Sequence, residues 1–428
     1  MRTVACIAVL ALALAGSACD RASDPSTTGP TPVPEGPVAS RLPSLTIVTA
    51  GGTPIFSRDT YVTAEYTLSD TFGVARAQGT LEIRGRGNST WGMPKKPYRL
   101  RLGASTALLG MPADRHWALL ANYSDKTLVR NDVAFELSRQ LGFAWTPRSE
   151  FVEVTLNGSY DGVYQLTEHV RVDPYRVNVP ELEVEDTAAS VITGGYLIEV
   201  DERRGEPFCV ESERTDMAFC LKSPEDLLEP EWATQRAYIE DYIRRTDDAI
   251  FGPKFTDPVE GYAAFIDVPS AIDYFLLNEV FKNVDGNLRL STYLFKPRGG
   301  KLTFGPVWDY DIAIGNVNYD GADLVAGWHS KGAAWYARMF QDPAFDAAVK
   351  ARWRQLRTNR TLENLIAYST TRTTFLSNVQ SRNFQRWPIL GTWVWPNRVV
   401  TGSYRAEVLA MHDWLGARIR WMDSQLGT

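Results

Sequence analysis

From Leu45 to Leu102, apolar positions alternate with polar ones or gather in short runs between Gly and Pro. The segments LTIVTA, YVTAEYTL, GTLEIRG and KPYRLRL therefore read as β-strands. The period then changes. In LVRNDVAFELSRQLG, Leu128, Val133, Leu137 and Leu141 fall near helical spacing, and Gly142 follows as a stop signal. FVEVTLNGSYDGVYQLTEHV returns to strand pattern on both sides of Asn157-Gly158, a strong hairpin turn, and GGYLIEV is one more short strand. Residues 225–282 are helical in pattern, as in PEWATQRAYIEDYIRRTDDAIF and PSAIDYFLLNEVFKN. STYLFKPRGGKLTFGPVWDYD predicts an embedded hairpin with Gly299-Gly300 at its tip, and beyond about residue 340 the text is helical again. A strand-rich part over about 44–200, followed by a mainly helical part over about 201–428, argues an α+β fold of two lobes.

The first 43 residues carry a different signal. MRTVACIAVLALALAGSAC has one Arg, then about a dozen apolar residues, then small ones, which reads as a secretory signal peptide over 1–18. Cys19 stands directly after Gly16-Ser17-Ala18, where a bacterial lipoprotein is cut and acylated. Gly16 holds the place usually taken by Leu, and ordinary cleavage is the alternative. Residues 19–43, rich in Pro, Ser, Thr and Gly, read as a flexible linker that buries little. The expectation is export, followed by anchorage at the membrane through lipid on Cys19 or by release, at the cell surface or in the periplasm.

Composition narrows the chemistry. The 428 residues hold 45 Lys+Arg against 51 Asp+Glu, and without a strongly basic stretch nucleic acid is not an expected partner. Cys6 leaves with the signal peptide and Cys19 would carry lipid, so Cys209 and Cys220 remain, in PFCVESERTDMAFCLK. In an oxidising compartment they read as a disulfide closing a hairpin; a redox pair would want CxxC spacing. His116, His169, His329 and His412 are scattered, and HExxH, GxSxG and GxxxxGK[ST] are missing from the sequence. Zinc-protease, α/β-hydrolase and P-loop chemistries are thereby excluded. Nine of the 13 Trp follow residue 300; in helical text they read mainly as core, with a sugar-binding platform as the rival use.

Three segments carry candidate chemistry. Asp285-Gly286-Asn287 sits between an apolar helix and a strand, where it reads as a turn and, structurally, as no more than one. Trp308-Asp309-Tyr310-Asp311 changes that reading, because a continuing strand would put Asp309 and Asp311 on one face. Two such carboxylates repel unless a cation or proton lies between them. Mg²⁺ takes its oxygens from one or two carboxylates and from substrate phosphates, and Asp285 and Asn287 lie one hairpin away. A Ca²⁺ site is the rival, but the EF-hand spacing is missing. Gly85-Arg86-Gly87-Asn88-Ser89-Thr90, followed by Lys95-Lys96, is the third segment. Glycines between strands let backbone N–H groups approach a phosphate, although a hairpin with basic flanks fits the same residues.

Together RGRGNSTW with KKPYRLRL, LLANYSDKTLVRNDVAFELSRQLG, VTLNGSYDGVYQLTEHV, FKNVDGN and FGPVWDYDIAIGN resemble the spore-coat protein H (CotH) kinase family, in the family's order and over roughly residues 80–420. The resemblance implies an atypical protein-kinase-like fold, with a strand-rich N-lobe, a helical C-lobe, and ATP with Mg²⁺ (or Mn²⁺) in the cleft. It implies transfer of the γ-phosphate to Ser or Thr of exported or surface proteins. By position, Asp285 matches the catalytic Asp, and Asn287, Asp309 and Asp311 match metal ligands. Lys96 is the choice for the phosphate-pairing Lys, with Lys95 and Lys126 competing; Glu168 is its partner or marks the end of a lobe-bridging strand. Gly85 and Gly87 belong to the nucleotide loop. The chain departs from ordinary kinases in having no HRD and one residue between Asp285 and Asn287. Phosphoryl transfer suits this residue set, since it asks for metal, positioned phosphates and one oriented Asp rather than His or Cys. ATP is scarce outside the cytosol, which sustains the rival reading of an inactive kinase-fold surface protein acting in binding or adhesion.

Overall fold

The computed structural model describes residues 42–427; the signal peptide, Cys19 and nearly all of the linker lie outside the described residues. Seven strands come first in the chain or near it: β1 (Ser44–Thr49), β2 (Val62–Ser69), β3 (Ala75–Gly85), β4 (Tyr98–Thr106), β5 (Asp114–Leu120), β6 (Ser149–Leu156) and β7 (Ser159–Glu168). Their alternation has one purpose. Leu45 and Ile47, Ala64, Tyr66 and Leu68, Leu81 and Ile83, and Tyr98, Leu100 and Leu102 all face a shared apolar interior. The strands pair in the order β1-β2-β3-β4-β5-β7-β6, and β1 runs parallel to β6 from Ser44↔Glu153 to Ile47↔Leu156, closing a barrel. Closure removes both exposed edges. The alternating pattern of single strands does not reveal it, because the closing pair joins segments about a hundred residues apart.

One strand escaped the pattern. DRHWALL, now β5, is buried almost continuously towards its C-terminal end, so it lacks the polar-apolar alternation that marks its neighbours. The helix α1 (Arg130–Leu141) ends as its sequence predicts, with Gly142 left-handed at φ 85°. Asn157-Gly158 turns the β6–β7 hairpin.

A second sheet has the order β12-β11-β8-β10-β9, built from β8 (Tyr196–Val200), β9 (Cys209–Glu211), β10 (Ala218–Ser223), β11 (Thr292–Lys296) and β12 (Thr303–Phe304). β8 pairs with β10 and β11, so the strand expected at the end of the N-terminal part joins the C-terminal one. Cys209 and Cys220 face each other across β9 and β10 and form the expected disulfide. Around this sheet lie α2 (Ala233–Phe251), α3 (Val268–Phe281), α4 (Ala334–Met339), α5 (Pro343–Thr358), α6 (Thr361–Ser377), α7 (Gln380–Arg386) and α8 (Tyr404–Leu426). The fold is thus mixed α+β, strand-rich first and helical after.

α3 is the axis of the helical part. Asp267 caps its start by accepting from Ser270 N–H at 3.0 Å, and ten of its residues are buried, from Ala271 to Phe281. Its Glu279 forms a fully buried ion pair with Arg418 of α8 at 2.7 Å. Glu279 also accepts from the backbone N–H groups of His329, Ser330 and Lys331. Every lone pair of this buried charge has a donor, which is the condition under which such a pair is tolerated. The late Trp residues are mainly core, as expected: Trp335 and Trp353 are fully buried, while Trp393 and Trp395 are exposed.

Candidate active site

The turn after α3 carries the first carboxylate. Lys282 ends the helix in a left-handed conformation, φ 48°, and its ammonium donates to the carbonyls of Gly321, Leu324 and Ala326 at 2.7–2.9 Å. Asn283 then bridges two segments. Its Oδ1 accepts from Asp285 N–H at 3.3 Å, and its Nδ2 donates to the Asp309 carbonyl at 3.3 Å. Asp285 is thereby held beside Asp309. Burial, and then the Asp309 charge, push the Asp285 carboxyl up to about 6, against the pull of Arg289 at 3.5 Å.

Asp309 does not sit on a strand. β12 ends at Phe304, and Asp309 itself is left-handed at φ 68°, an arrangement that costs a non-Gly residue about 1 kcal/mol. The expected period-two placement of Asp309 and Asp311 is therefore replaced by a loop. The loop is set from outside: Tyr310 N–H donates to Asn131 Oδ1 of α1 at 2.7 Å, and Tyr310 Oη donates to Asn278 of α3 at 2.8 Å. Asp309 accepts from Ser291 Oγ at 3.4 Å. Asp311 is buried, and burial, then Asp309, Asp125 and Asp285, raise its carboxyl well above the usual range. The three carboxylates line one cleft of about 430 Å³.

The rest of its lining is of mixed charge: Arg58, Arg84, Arg86, Arg203 and Lys222 stand among Asp59, Glu199, Asp201 and Glu206. Arg58 donates to the Gly87 carbonyl and to Asn88 Oδ1, both at 2.8 Å, and Arg84 donates to the Arg58 carbonyl. Arg86 lies over the Trp308 ring at 5.2 Å. Lys222 of β10 pairs with Glu199 of β8 at 3.5 Å and with Glu206. Burial works against the Lys222 charge, yet the two glutamates outweigh it and raise the group. Residues 87–90 and Met93 line the cleft as well. A larger hollow of about 640 Å³ lies between β1, β6 and α7, but its Arg382 is paired with Glu153 at 2.8 Å and it holds no carboxylate cluster.

Several sequence-based assignments land elsewhere. The Lys96 ammonium donates to the Trp91 carbonyl at 2.7 Å and covers the Trp91 ring, outside the cleft lining. Lys95 is buried between β7 and α7, where it bonds to Val163 and Asn383. Lys126 donates to the Thr392 carbonyl. Glu168 accepts from Arg148, through backbone N–H and Nε, at 2.9 and 3.0 Å, so it partners an arginine rather than any of these lysines. Gly85 is a packing glycine: a Cβ there would lie 2.4 Å from the Trp91 ring. Gly87, left-handed at φ 78°, does line the cleft. Asn287 is outside the lining, although its Oδ1 is buried and has no donor.

Among the described residues, no three His, Cys, Asp or Glu side chains gather closely enough to hold a metal alone. Their chemistry still suits a hard cation. Asp285 and Asp311 resist ionisation because of burial and then the Asp309 charge, and a hard cation sharing phosphate oxygens would relieve both. The residues that pattern reading passed over are Lys222, Glu199 and Asn283. The signal for the first two was a charge standing inside an apolar strand, LKS and LIEV, beside the cysteine hairpin.

A search for similar curated proteins finds no match. The family model described as CotH kinase protein matches residues 83–422, which takes in the Asp285 turn, the Asp309 loop and all of the cleft lining except Arg58 and Asp59. With most of its length inside that match, the chain belongs to the CotH kinase family.

Proposed function

We propose that this protein is a divalent-metal-dependent phosphotransferase of atypical kinase-like architecture. It moves the γ-phosphate of ATP to Ser or Thr of exported proteins. One observation supports this reading: Asp285, Asp309 and Asp311 share one cleft with Arg58, Arg84, Arg86 and Lys222. Carboxylates and cations in one cleft fit a polyphosphate bridged to the carboxylates through a metal ion.

Asp309 and Asp311 would hold the metal, Mg²⁺ or Mn²⁺, which supplies charge neutralisation on the phosphates. Asp285 orients the acceptor hydroxyl and takes its proton as the hydroxyl oxygen bonds to the γ-phosphorus. The bond from that phosphorus to the β,γ-bridging oxygen breaks, and ADP leaves. Arg86 and Lys222 offset the charge on the phosphates, and Gly87–Thr90 exclude water above them. A base poised near pH 6 is mostly ionised at neutral pH and ready for this task. Export is supported by the leader-like first 18 residues and by the Cys209–Cys220 disulfide, with Cys19 as the lipid attachment point.

The test is incubation of purified protein with labelled ATP and Mg²⁺ or Mn²⁺, with a Ser-rich acceptor. Wild type is expected to transfer label and Asp285→Ala to lose it. Folded protein that transfers none with either metal refutes the transferase and leaves a binding protein.

A further inference from the structure

Beside the Asp285 turn, two loops bring aromatic side chains together. Tyr319 packs against the small cluster of Val284, Val317 and Ala322, whose first member precedes Asp285, and stacks on Trp395 with ring centroids 6.1 Å apart and planes 11° from parallel. Trp395 is 42% exposed and its neighbour Trp393 is 54% exposed, so the aromatic surface faces solvent. Asp320, adjacent to Tyr319, lies 3.8 Å from Arg289, whose other terminal nitrogen is 3.5 Å from Asp285. A chain of ion pairs thus runs from the shelf to the proposed base. Burial, and after it the charge of Asp285, drives the Tyr319 phenol up to about 12, which places it within the field of that carboxylate.

Hydrogen bonds tie these loops to the helices and to each other. Lys282 binds three carbonyls of residues 321–326, and Trp414 Nε1 donates to the Asp323 carbonyl at 2.8 Å. Asn397 donates to Asn316 Oδ1 at 2.9 Å and to the Ser124 carbonyl at 2.7 Å, and Arg398 donates to the Gly315 carbonyl. Trp393 Nε1 donates to the Asn397 carbonyl. A preformed aromatic surface loses little entropy when it is covered. Beside Tyr319, the three carboxylates of Glu202, Asp285 and Asp320 share the single guanidinium of Arg289.

We infer that Tyr319 and Trp395 form the acceptor shelf: an extended segment of the substrate protein lies across them, with an apolar residue beside its hydroxyl and a basic residue towards Asp320 and Glu202. The inference rests on the transferase reading and names the substrate class for the same site. Continuity with Asp285 selects this occupant, since a segment on the shelf delivers its hydroxyl to the only carboxylate of the three that is tied to the shelf by ion pairs.

The experiment uses a degenerate peptide library with one central Ser, labelled ATP with Mg²⁺ or Mn²⁺, and full-length wild type, Trp395→Ala and Tyr319→Leu. Wild type is expected to select apolar residues beside the Ser and Lys or Arg further out. Trp395→Ala is expected to lose the apolar selection and to raise KM for the selected peptide about tenfold or more, with kcat little changed. Stabilisation by ATP and metal is the separate readout for the nucleotide site, and both variants are expected to keep it. If wild type lacks that stabilisation, the transferase reading falls and the shelf with it. If stabilisation is present while peptide selection is uniform, or is the same in Trp395→Ala, the shelf alone is overturned. Trp395-dependent binding to an oligosaccharide array without peptide selection also overturns it, in favour of a sugar.

Discussion

Asp285→Asn is expected to abolish transfer and at the same time to stabilise the metal-free protein. In the folded protein the Asp285 carboxyl is raised to about 6, from an ordinary 3.8, by burial and by Asp309. Between those values the folded state binds more protons than the unfolded chain, so stability is lost as pH rises from about 4 to about 6. Two pKa units correspond to about 3 kcal/mol. The side chain is 18% exposed, and solvent screening brings the working figure to roughly 1–3 kcal/mol. Asn is isosteric and uncharged, so the variant escapes this penalty, while Arg289 retains Glu202 and Asp320 as partners. Urea denaturation in chelator, from pH 4 to pH 8, reads the difference. The two proteins should be equally stable near pH 4, and the variant should lead above pH 6. Adding ATP and metal should narrow the lead, since a cation near Asp285 offsets in wild type the repulsion that the variant already lacks. A variant less stable than wild type at pH 7.5, or a lead that does not vary with pH, refutes the assignment of Asp285 to a buried, repelling cluster.

Lys96→Met should leave the ATP–metal stabilisation intact, whereas Lys222→Met should diminish it several-fold in apparent affinity; the opposite result returns the phosphate-pairing role to the N-terminal lysine. Reducing Cys209–Cys220 frees residues 201–208, which carry Asp201, Arg203, Gly205 and Glu206 into the cleft. The loop term is roughly 3 kcal/mol of stability, and calorimetry with and without reductant should find a lower Tm and weaker nucleotide stabilisation. Burial lowers Lys95 to about 7, so the unfolded chain binds the extra proton between about pH 7 and 10.5 and stability rises with pH across that window. Denaturation of wild type against Lys95→Met should separate by roughly 2–3 kcal/mol between pH 7.5 and 9.5, and parallel curves would show that Lys95 is solvated.

The positions of the elements were legible because local rules decide them. Alternation in YVTAEYTL and KPYRLRL, Gly142 as a helix stop and Asn157-Gly158 as a hairpin turn act within a few residues, and each holds in the structure. The acidic residues were legible too, since carboxylates concentrated near apolar segments demand a reason. The cations were not. Lys96 and Lys222 look alike in sequence, and only the packing of Trp91 and the pairing of β8 with β10 send one to a ring face and the other to Glu199 in the cleft.

By itself, then, the sequence determined the α+β order, the disulfide pair, the family resemblance and the acidic residues of the candidate site, all legible in short segments. Tertiary structure alone decided barrel closure, the left-handed loop that aims Asp309, and which basic groups oppose it. The reason is range: strand and turn preferences are settled by neighbours in the chain, whereas a charge finds its partner through contacts between segments distant in the chain.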